Sequence, residues 1–214
     1  MERQSELGHA VLPVSGAVLA GGRGVRLGRD KARVAVGGAT LLDRAIATLA
    51  SFCTDVLVVG RTGDFTPRPD VRALPDLRPG SGALGGIYTA LVAAAHPLCV
   101  VVACDMPFLN PALLRYLAAL GEHADVVTPL VHTHPETLHA VYRRTCIPHI
   151  EAQLDRGDFK IARFFDAVRV RYVERAEITP VDPDLRSLFN INHPDELAVA
   201  QAAFGDSPTA TTGV

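Results

Sequence analysis

The sequence has 214 residues, of which 48% are hydrophobic, which is enough for one sizeable core and favours a single domain. Its 21 basic and 23 acidic residues give a formal net charge of -2, which argues against non-specific binding to nucleic acid or to an anionic membrane. No apolar run approaches the roughly 20 residues that span a bilayer. The first ten residues, MERQSELGHA, lack the features of a signal peptide, so we expect a cytoplasmic location.

Short apolar segments rich in β-branched residues alternate with helix-like segments from residue 15 to residue 131. In chain order, strands are predicted at SGAVLAGG, DVLVVG, LCVVVACD and ADVVTPLV, and helices at TLLDRAIATLASF, GALGGIYTALVAAA and NPALLRYLAAL. Thr40 and Asn110 are expected helix N-caps, and Pro111 fits the first turn of its helix. This alternation predicts a parallel sheet with helices on both faces.

The pattern loosens after Val131, where strands are predicted at ETLHAVYRR and VRVRYVER and helices at IPHIEAQLDRG and DELAVAQAAF. We expect some antiparallel pairing in this half. The predicted fold class is therefore α/β: a single-domain, Rossmann-like three-layer sandwich with a mostly parallel central sheet. The domain is expected over residues 15–205, with loose tails at 1–14 and 206–214.

A glycine-rich loop with basic residues, AVLAGGRGVRLGRDK at 17–31, directly follows the first predicted strand. Glycines let a backbone turn tightly and expose its N–H groups, and Arg26 and Lys31 add positive charge, so the loop suits a polyphosphate. A Walker A loop is excluded because Lys31 is followed by Ala32 rather than by Ser or Thr, and the glycine spacing is wrong for a dinucleotide fingerprint. A surface loop with incidental arginines is the alternative.

A second candidate site is Asp105, which LCVVVACDMPFLNP places at the end of a buried strand. A carboxylate there is costly if it is buried without a partner, so it favours a cation, and Mg²⁺ shared with substrate phosphates would supply one. The alternative is a helix or turn cap. Because open α/β sheets bind ligands at the carboxyl ends of their strands, we expect the loop and Asp105 to face one another.

Cysteine and histidine spacing gives weaker signals. The cysteines are scattered and form no CxxC pair, which favours reduced, packed thiols at Cys53, Cys99, Cys104 and Cys146. In HTHPETLH, the histidines at 132, 134 and 139 lie close together in sequence. A zinc site there is the less favoured interpretation, because no cysteine or carboxylate stands at a supporting spacing.

Four motifs in order resemble those of the molybdenum cofactor guanylyltransferase family of nucleotidyltransferases: LAGGRGVRLGRDK, PDLRPGSGALGGI, ACDMPFL and NINHPDEL. The resemblance covers residues 14–204. It implies a Rossmann-like fold and Mg²⁺-dependent transfer of GMP from GTP to the phosphate of a molybdopterin-type molybdenum cofactor, with release of pyrophosphate. The family usually carries GPLAG where this chain has GALGG, at residues 82–86.

The resemblance also implies site residues. Those for the nucleotide are Leu19, Ala20, Gly21, Gly22, Lys31, Asp76, Gly82, Gly85 and Asp105. Asp105 matches the magnesium ligand and Lys31 the phosphate-binding lysine. The predicted catalytic set is these two residues together with Arg26, which is chosen for its charge in the loop. The candidate residues for binding the acceptor are His134, Pro135, Lys160, Asn190 and Asn192. Lys160 also fits a solvent-exposed helix face, and the two asparagines also fit the end of a strand.

Two alternatives to this function stay open. One is a related nucleotidyltransferase that uses CTP or another phosphorylated acceptor, although LAGG, rather than a TAAG-like loop, favours guanine. The other is a non-catalytic nucleotide-binding module, against which the intact Lys31, Asp76 and Asp105 argue. The expected binding partners are small-molecule substrates, and binding to nucleic acid or to a membrane is not expected. Cofactor-inserting proteins and molybdoenzymes stay open as protein partners.

Overall fold

The computed structural model of the protein describes residues 11–21, 30–61, 68–131 and 133–205. The strands are β1 (Leu12–Leu19), β2 (Ala35–Val36), β3 (Ala39–Thr40), β4 (Cys53–Val59), β5 (Val71–Leu74), β6 (Leu98–Ala103), β7 (Val126–Val131), β8 (His134–Pro135), β9 (His139–Arg143) and β10 (Val170–Glu174). The α-helices are α1 (Leu41–Ala50), α2 (Gly82–Ala93), α3 (Pro111–Leu120), α4 (Ile147–Asp155), α5 (Arg175–Ile178) and α6 (Pro194–Ala203).

The main sheet has the strand order β10-β7-β9-β6-β1-β4-β5, with β8 paired to β7 at one end. β1 pairs in parallel with both β4 and β6, and β7 pairs in parallel with β10. β9 lies antiparallel between β6 and β7. The predicted fold class, with a mostly parallel sheet and antiparallel pairing in the C-terminal half, is confirmed.

Helices cover both faces of the sheet and complete the three layers. Leucines and alanines of α1 and α3 pack with Val18, Val58 and Val102 on one face. On the other face, α2 and α4 pack with Leu57, Val101 and other strand residues. This double coverage explains why the central strands are apolar on both sides.

The helix starts also agree with the sequence. The Thr40 hydroxyl accepts from the Asp43 N–H at 3.0 Å, and Asn110 Oδ1 accepts from the Ala112 N–H at 2.9 Å, so both predicted N-caps are confirmed. The domain start needs a correction, because β1 begins at Leu12, whose N–H donates to the Phe52 carbonyl at 2.7 Å. Residues 12–14 therefore belong to the sheet rather than to a tail, while 206–214 lie outside the described residues.

All four cysteines are buried and unbridged, as the sequence predicts. Burial raises the pKa of the Cys104 thiol to about 12, so this residue beside Asp105 is a protonated packing group at neutral pH. No helix in the described part of the chain combines the length and apolar composition that crossing a membrane requires.

Candidate active site

A cleft of about 850 Å³ opens at the carboxyl ends of β1, β4 and β6. Its walls are formed by residues 19–21, 30–32, 59–60, 103–105, the turn before α2 and the first turns of α2. The chain runs from β1 to β4 and β5 on one side, and then returns to β6 on the other side of β1. Open α/β sheets bind ligands where the strand order reverses in this way, and the volume suits a small-molecule ligand.

The turns after β1 and β6 are held together at the floor of this cleft. The Cys104 N–H donates to the Leu19 carbonyl at 3.2 Å, which places Asp105 next to the beginning of the glycine-rich loop. The Ile191 N–H donates to the Asp105 carbonyl at 2.9 Å, so the segment before α6 packs against the same turn. Three parts of the sequence that are distant along the chain therefore meet here.

Lys31 is the centre of the polar contacts in this region. Its Nζ donates to Asp105 Oδ2 at 2.7 Å and to Asn192 Oδ1 at 2.8 Å. The side chains of Lys31 and Asp105 are only 20% and 17% exposed, so this ion pair is shielded from most of the solvent. Asp105 Oδ1 is buried and has no hydrogen-bond partner among the described residues. A buried carboxylate oxygen without a donor is costly, which marks this atom as a binding position for a further cation or donor.

The start of α2 forms the opposite wall with Asp76. Asp76 Oδ1 accepts from the Arg78 N–H at 2.9 Å and from the Thr89 hydroxyl at 3.1 Å, which fixes the carboxylate at the rim of the cleft. A Cβ on Gly86 would meet the Leu19 side chain at 3.2 Å, so the absence of a side chain lets α2 lie close to the end of β1.

A sequence model of the MobA-like NTP transferase domain matches residues 16–173, which is more than half of the chain and includes every residue that lines the cleft. The chain belongs to this family. A probable molybdenum cofactor guanylyltransferase of Pelotomaculum thermopropionicum is 37% identical over 199 residues, which cover 93% of this chain and 97% of the relative. The molybdenum cofactor guanylyltransferase of Desulfosudis oleivorans is 38% identical, covering 89% of this chain and 95% of the relative.

Solved structures agree with this assignment. The molybdopterin-guanine dinucleotide biosynthesis protein A of Archaeoglobus fulgidus superposes with a TM-score of 0.76 at 29% identity, covering 89% of this chain and 98% of that one. The 2-C-methyl-D-erythritol 4-phosphate cytidylyltransferase of Thermus thermophilus has a TM-score of 0.69 at 20% identity, over 91% of this chain and 100% of that one, and shares the fold. This MobA-like chain is therefore a nucleotidyltransferase.

The structure brings most of the predicted nucleotide residues of the MobA-like domain to one cleft. The residues that line it are Leu19, Ala20, Gly21, Lys31, Asp76, Gly82 and Asp105. Gly85 does not line it: a Cβ there would meet the Arg78 carbonyl at 2.9 Å and Asp76 Oδ1 at 3.4 Å, so Gly85 supports the Asp76 turn from behind. The predicted residues Gly22 and Arg26 lie outside the described part of the chain.

The predicted acceptor residues are more dispersed. Asn192 reaches the cleft through its contact with Lys31, and its N–H donates to Glu196 Oε2 at 2.5 Å, which anchors it to the first turn of α6. The Asn190 amide instead donates to the Leu188 carbonyl at 3.2 Å. Neither of these asparagines, nor His134, Pro135 or Lys160, lines the cleft of about 850 Å³.

Gly60 directly follows β4, and its contact with the glycine-rich loop is not predicted from the sequence. Gly60 has a φ of 85°, and a Cβ on it would lie 2.6 Å from the Cα of Gly21. The backbones that follow β1 and β4 therefore touch, and only glycine at position 60 permits both the left-handed conformation and this approach. A glycine after a strand also occurs in ordinary turns, so the sequence contained no signal for this contact.

Gly60→Ala should reduce the affinity for nucleotide. The loss should be much larger than that caused by replacing another glycine that has a left-handed backbone conformation. The added methyl group must displace Gly21, which lines the cleft, in addition to straining the backbone. Gly157→Ala is the matched control, because Gly157 has a φ of 72° and nothing within 4 Å of the added Cβ. Isothermal titration with nucleotide and thermal unfolding of both variants test this. Equal losses of affinity in the two would contradict the role of the contact.

His139 is fully buried at the start of β9, and neither ring nitrogen has a hydrogen-bond partner among the described residues. His134, in contrast, is exposed on β8, and His132 lies outside the described residues. The described residues contain no group of three or more His, Cys, Asp or Glu that could hold a metal ion. Burial lowers the pKa of His139 to about 4, although Asp182 opposes this shift.

The free energy of unfolding should fall as the pH drops from 6.5 to 4. Over this interval an unfolded histidine binds a proton that folded His139 does not, so its contribution is complete above pH 6.5 and is lost as the pH falls through about 4. The loss is roughly 3 kcal/mol. Urea unfolding at several pH values measures this loss. The free energy of unfolding should depend less steeply on pH in His139→Leu than in the exposed control His149→Gln. Identical slopes in the two variants would contradict the assignment.

Proposed function

We propose that this protein transfers GMP from GTP to the terminal phosphate of a molybdopterin-type molybdenum cofactor and releases pyrophosphate. The observation that carries the proposal is the contact of Lys31, which lines the cleft at the end of β1 together with Asp105, with both Asp105 and Asn192. The names of the similar proteins, molybdenum cofactor guanylyltransferase and molybdopterin-guanine dinucleotide biosynthesis protein A, support the choice of nucleotide and acceptor.

Asp76 supports guanine as the base. A carboxylate only accepts hydrogen bonds, and guanine presents adjacent N1–H and N2–H₂ donors on one edge, whereas cytosine presents one amino donor beside an acceptor nitrogen. The fixed Asp76 carboxylate at the cleft rim suits the guanine edge. The departure from the family's GPLAG at residues 82–86 is compatible with guanine as the base. Gly82, Ala83 and Gly86 border the cleft, and Gly85 lies behind the Asp76 turn.

The remaining nucleotide residues have separate roles in the proposal. Leu19, Ala20 and Gly21 border the nucleoside, and Lys31 binds the phosphates with the loop residues Gly22 and Arg26. Lys31 has two protein acceptors at 2.7 and 2.8 Å that hold its ammonium group at the cleft floor. A positive group held in place before substrate arrives stabilises developing negative charge without a cost of reorganisation.

The residues present also fit Mg²⁺, which we propose as the metal of this site. Asp105 Oδ1 is buried and has no donor among the described residues, and carboxylate oxygen is a ligand that Mg²⁺ prefers. Asp105 would hold the ion through this atom. Bound there with substrate, Mg²⁺ would neutralise negative charge on the phosphates.

The chain's residues need to position the reactants rather than form a covalent bond with them. The acceptor phosphate is already an anion, so its oxygen attacks the α-phosphorus of GTP without a general base. The bond from the α-phosphorus to the bridging oxygen breaks, and pyrophosphate leaves with the electron pair. Lys31 and Arg26 would counter the charge that builds up on the leaving group.

The acceptor is proposed to approach from the side of α6 and β8. Asn192 is the member of the predicted acceptor set with a contact at the cleft floor. His134, Pro135, Lys160 and Asn190 are proposed to contact the more distant parts of a large acceptor. A cytoplasmic location and delivery of the product to a molybdoenzyme or an insertion protein complete the proposal.

A matrix of nucleotides and acceptors tests this function. Purified protein is incubated with Mg²⁺, one of GTP, CTP, ATP or UTP, and purified molybdopterin-form cofactor, and pyrophosphate release is recorded. We expect release with GTP that depends on the acceptor. A preference for CTP would support the cytidylyltransferase alternative, and no release with any triphosphate would support a non-catalytic module.

A further inference from the structure

Arg61, the residue after Gly60, forms an ion pair through a largely buried side chain. Its guanidinium contacts Asp30 Oδ2, and its side chain is only 15% exposed. Among the described residues, the other arginines with an assigned ion pair have side chains that are 36% to 72% exposed. The Asp30 side chain is 37% exposed, so the pair is buried on its arginine side. An arginine held in this way has fewer accessible geometries than one on the surface. The contact is therefore suited to fixing a backbone position.

Asp30 connects this pair to the neighbouring residue, Lys31. Asp30 Oδ1 accepts from the Ala32 N–H at 3.2 Å, and the Asp30 carbonyl accepts from the Arg33 N–H at 3.0 Å. These bonds cap the single 3₁₀ turn at Lys31–Arg33. One carboxylate thus holds the turn through Oδ1 and holds Arg61 through Oδ2. Asp30 therefore links Arg61 to the turn that carries Lys31.

Lys31 makes its contacts at the end of a long, flexible side chain. Its ammonium group reaches both Asp105 and Asn192 only when the Lys31 backbone lies at the right distance from the turn after β6. Such a side chain has considerable rotamer entropy, so a displaced turn would favour other conformers. Arg61 itself does not line the cleft, whereas Asp30, Lys31 and Gly60 do. Asp30 thus connects Arg61 to residues that line the cleft.

We infer that Arg61 is a positioning residue that holds the Lys31 ammonium group at the cleft floor through Asp30. This inference rests on the proposed function, in which Lys31 binds the phosphates. The contact of Gly60 with Gly21 brings the end of β4 against the glycine-rich loop, and Arg61 then reaches across to Asp30 at the far end of that loop. Gly60 and Arg61, the two residues that follow β4, thus contact Gly21 and Asp30, which lie at the two described ends of the loop.

A double-mutant cycle tests the inference on the full-length protein. Arg61→Gln should lower kcat/KM for GTP about tenfold in the wild-type background. In the Lys31→Gln background it should cause no further loss, because the group that it positions is gone. Arg61→Lys should restore part of the activity by pairing again with Asp30. Arg68→Gln is the matched control, because Arg68 pairs with Asp70 on the surface and should leave kcat/KM unchanged. Equal losses in both backgrounds would overturn the inference.

A spectroscopic readout separates this inference from the proposed function. The sequence contains two lysines, Lys31 and Lys160, so protein labelled with ¹⁵N at lysine Nζ gives two ammonium signals, which Lys31→Gln assigns. Arg61→Gln should shift or broaden the Lys31 signal and leave that of Lys160 unchanged, whereas an unchanged Lys31 signal would overturn the inference. This experiment needs no turnover. Failure of the wild-type protein to release pyrophosphate would contradict the proposed function alone.

Discussion

Asp105→Asn should lower kcat on the order of a hundredfold or more at saturating GTP, acceptor and Mg²⁺. The substitution keeps the shape of the side chain but removes the negative charge that pairs with Lys31. Because Lys31 donates to Oδ2, the amide oxygen keeps that place, and an NH₂ group replaces the buried Oδ1 proposed to bind the metal. The affinity for nucleotide without metal should change little, because Lys31 remains available to the phosphates. Steady-state pyrophosphate release and isothermal titration with GTP in EDTA measure the two effects.

The control for Asp105 is Asp70→Asn, which removes a carboxylate from an exposed ion pair with Arg68. Its kcat should equal that of the wild type. Turnover of Asp105→Asn near the wild-type rate, with Mg²⁺ present and the variant folded, would remove Asp105 from the proposed reaction. A large loss of metal-free nucleotide affinity with kcat unchanged would place Asp105 in binding instead.

Lys31→Gln should have two effects of opposite direction. It should lower kcat/KM for GTP on the order of a hundredfold, because a positive group at the phosphates is lost. It should also strengthen Mn²⁺ binding in the absence of nucleotide, because the Lys31 ammonium at 2.7 Å no longer competes for Asp105. Electron paramagnetic resonance of free Mn²⁺ measures the second effect without turnover.

Arg33→Gln is the control for Lys31, because it removes a positive charge from the same 3₁₀ turn. The Arg33 side chain is 60% exposed and does not line the cleft. It should leave both kcat/KM and Mn²⁺ binding close to those of the wild type. If Lys31→Gln and the wild type bind Mn²⁺ equally, the ion pair with Asp105 does not limit access of the metal.

Much of the fold is predictable because its signals are local. The apolar runs that form β1, β4, β6 and β7 and the caps at Thr40 and Asn110 need no information from elsewhere in the chain. The position of β9 is different, since it lies between β6 and β7 and pairs with both. The sequence predicts antiparallel pairing in that half, but the strand order depends on how whole helices pack.

The candidate site likewise contains residues that the sequence predicts and contacts that it does not. Lys31 and Asp105 are predictable as members of motifs at strand ends, and the structure places them 2.7 Å apart. Two contacts, Asn192 with Lys31 and Arg61 with Asp30, join segments that are brought together by the sheet and by α6. A local sequence pattern therefore does not predict them. His139 is a further case, because its unpartnered ring nitrogens become visible only when the residues around it are packed.

The fate of individually labelled GTP phosphates tests the central claim most directly. With Mg²⁺ and molybdopterin-form cofactor, label from [α-³²P]GTP should enter a guanine dinucleotide, and label from [γ-³²P]GTP should appear only in pyrophosphate. The Asp105→Asn protein should produce both on the order of a hundredfold more slowly. Transfer of the γ-label to the acceptor, or its release as inorganic phosphate without a dinucleotide product, would contradict nucleotidyl transfer in this cleft.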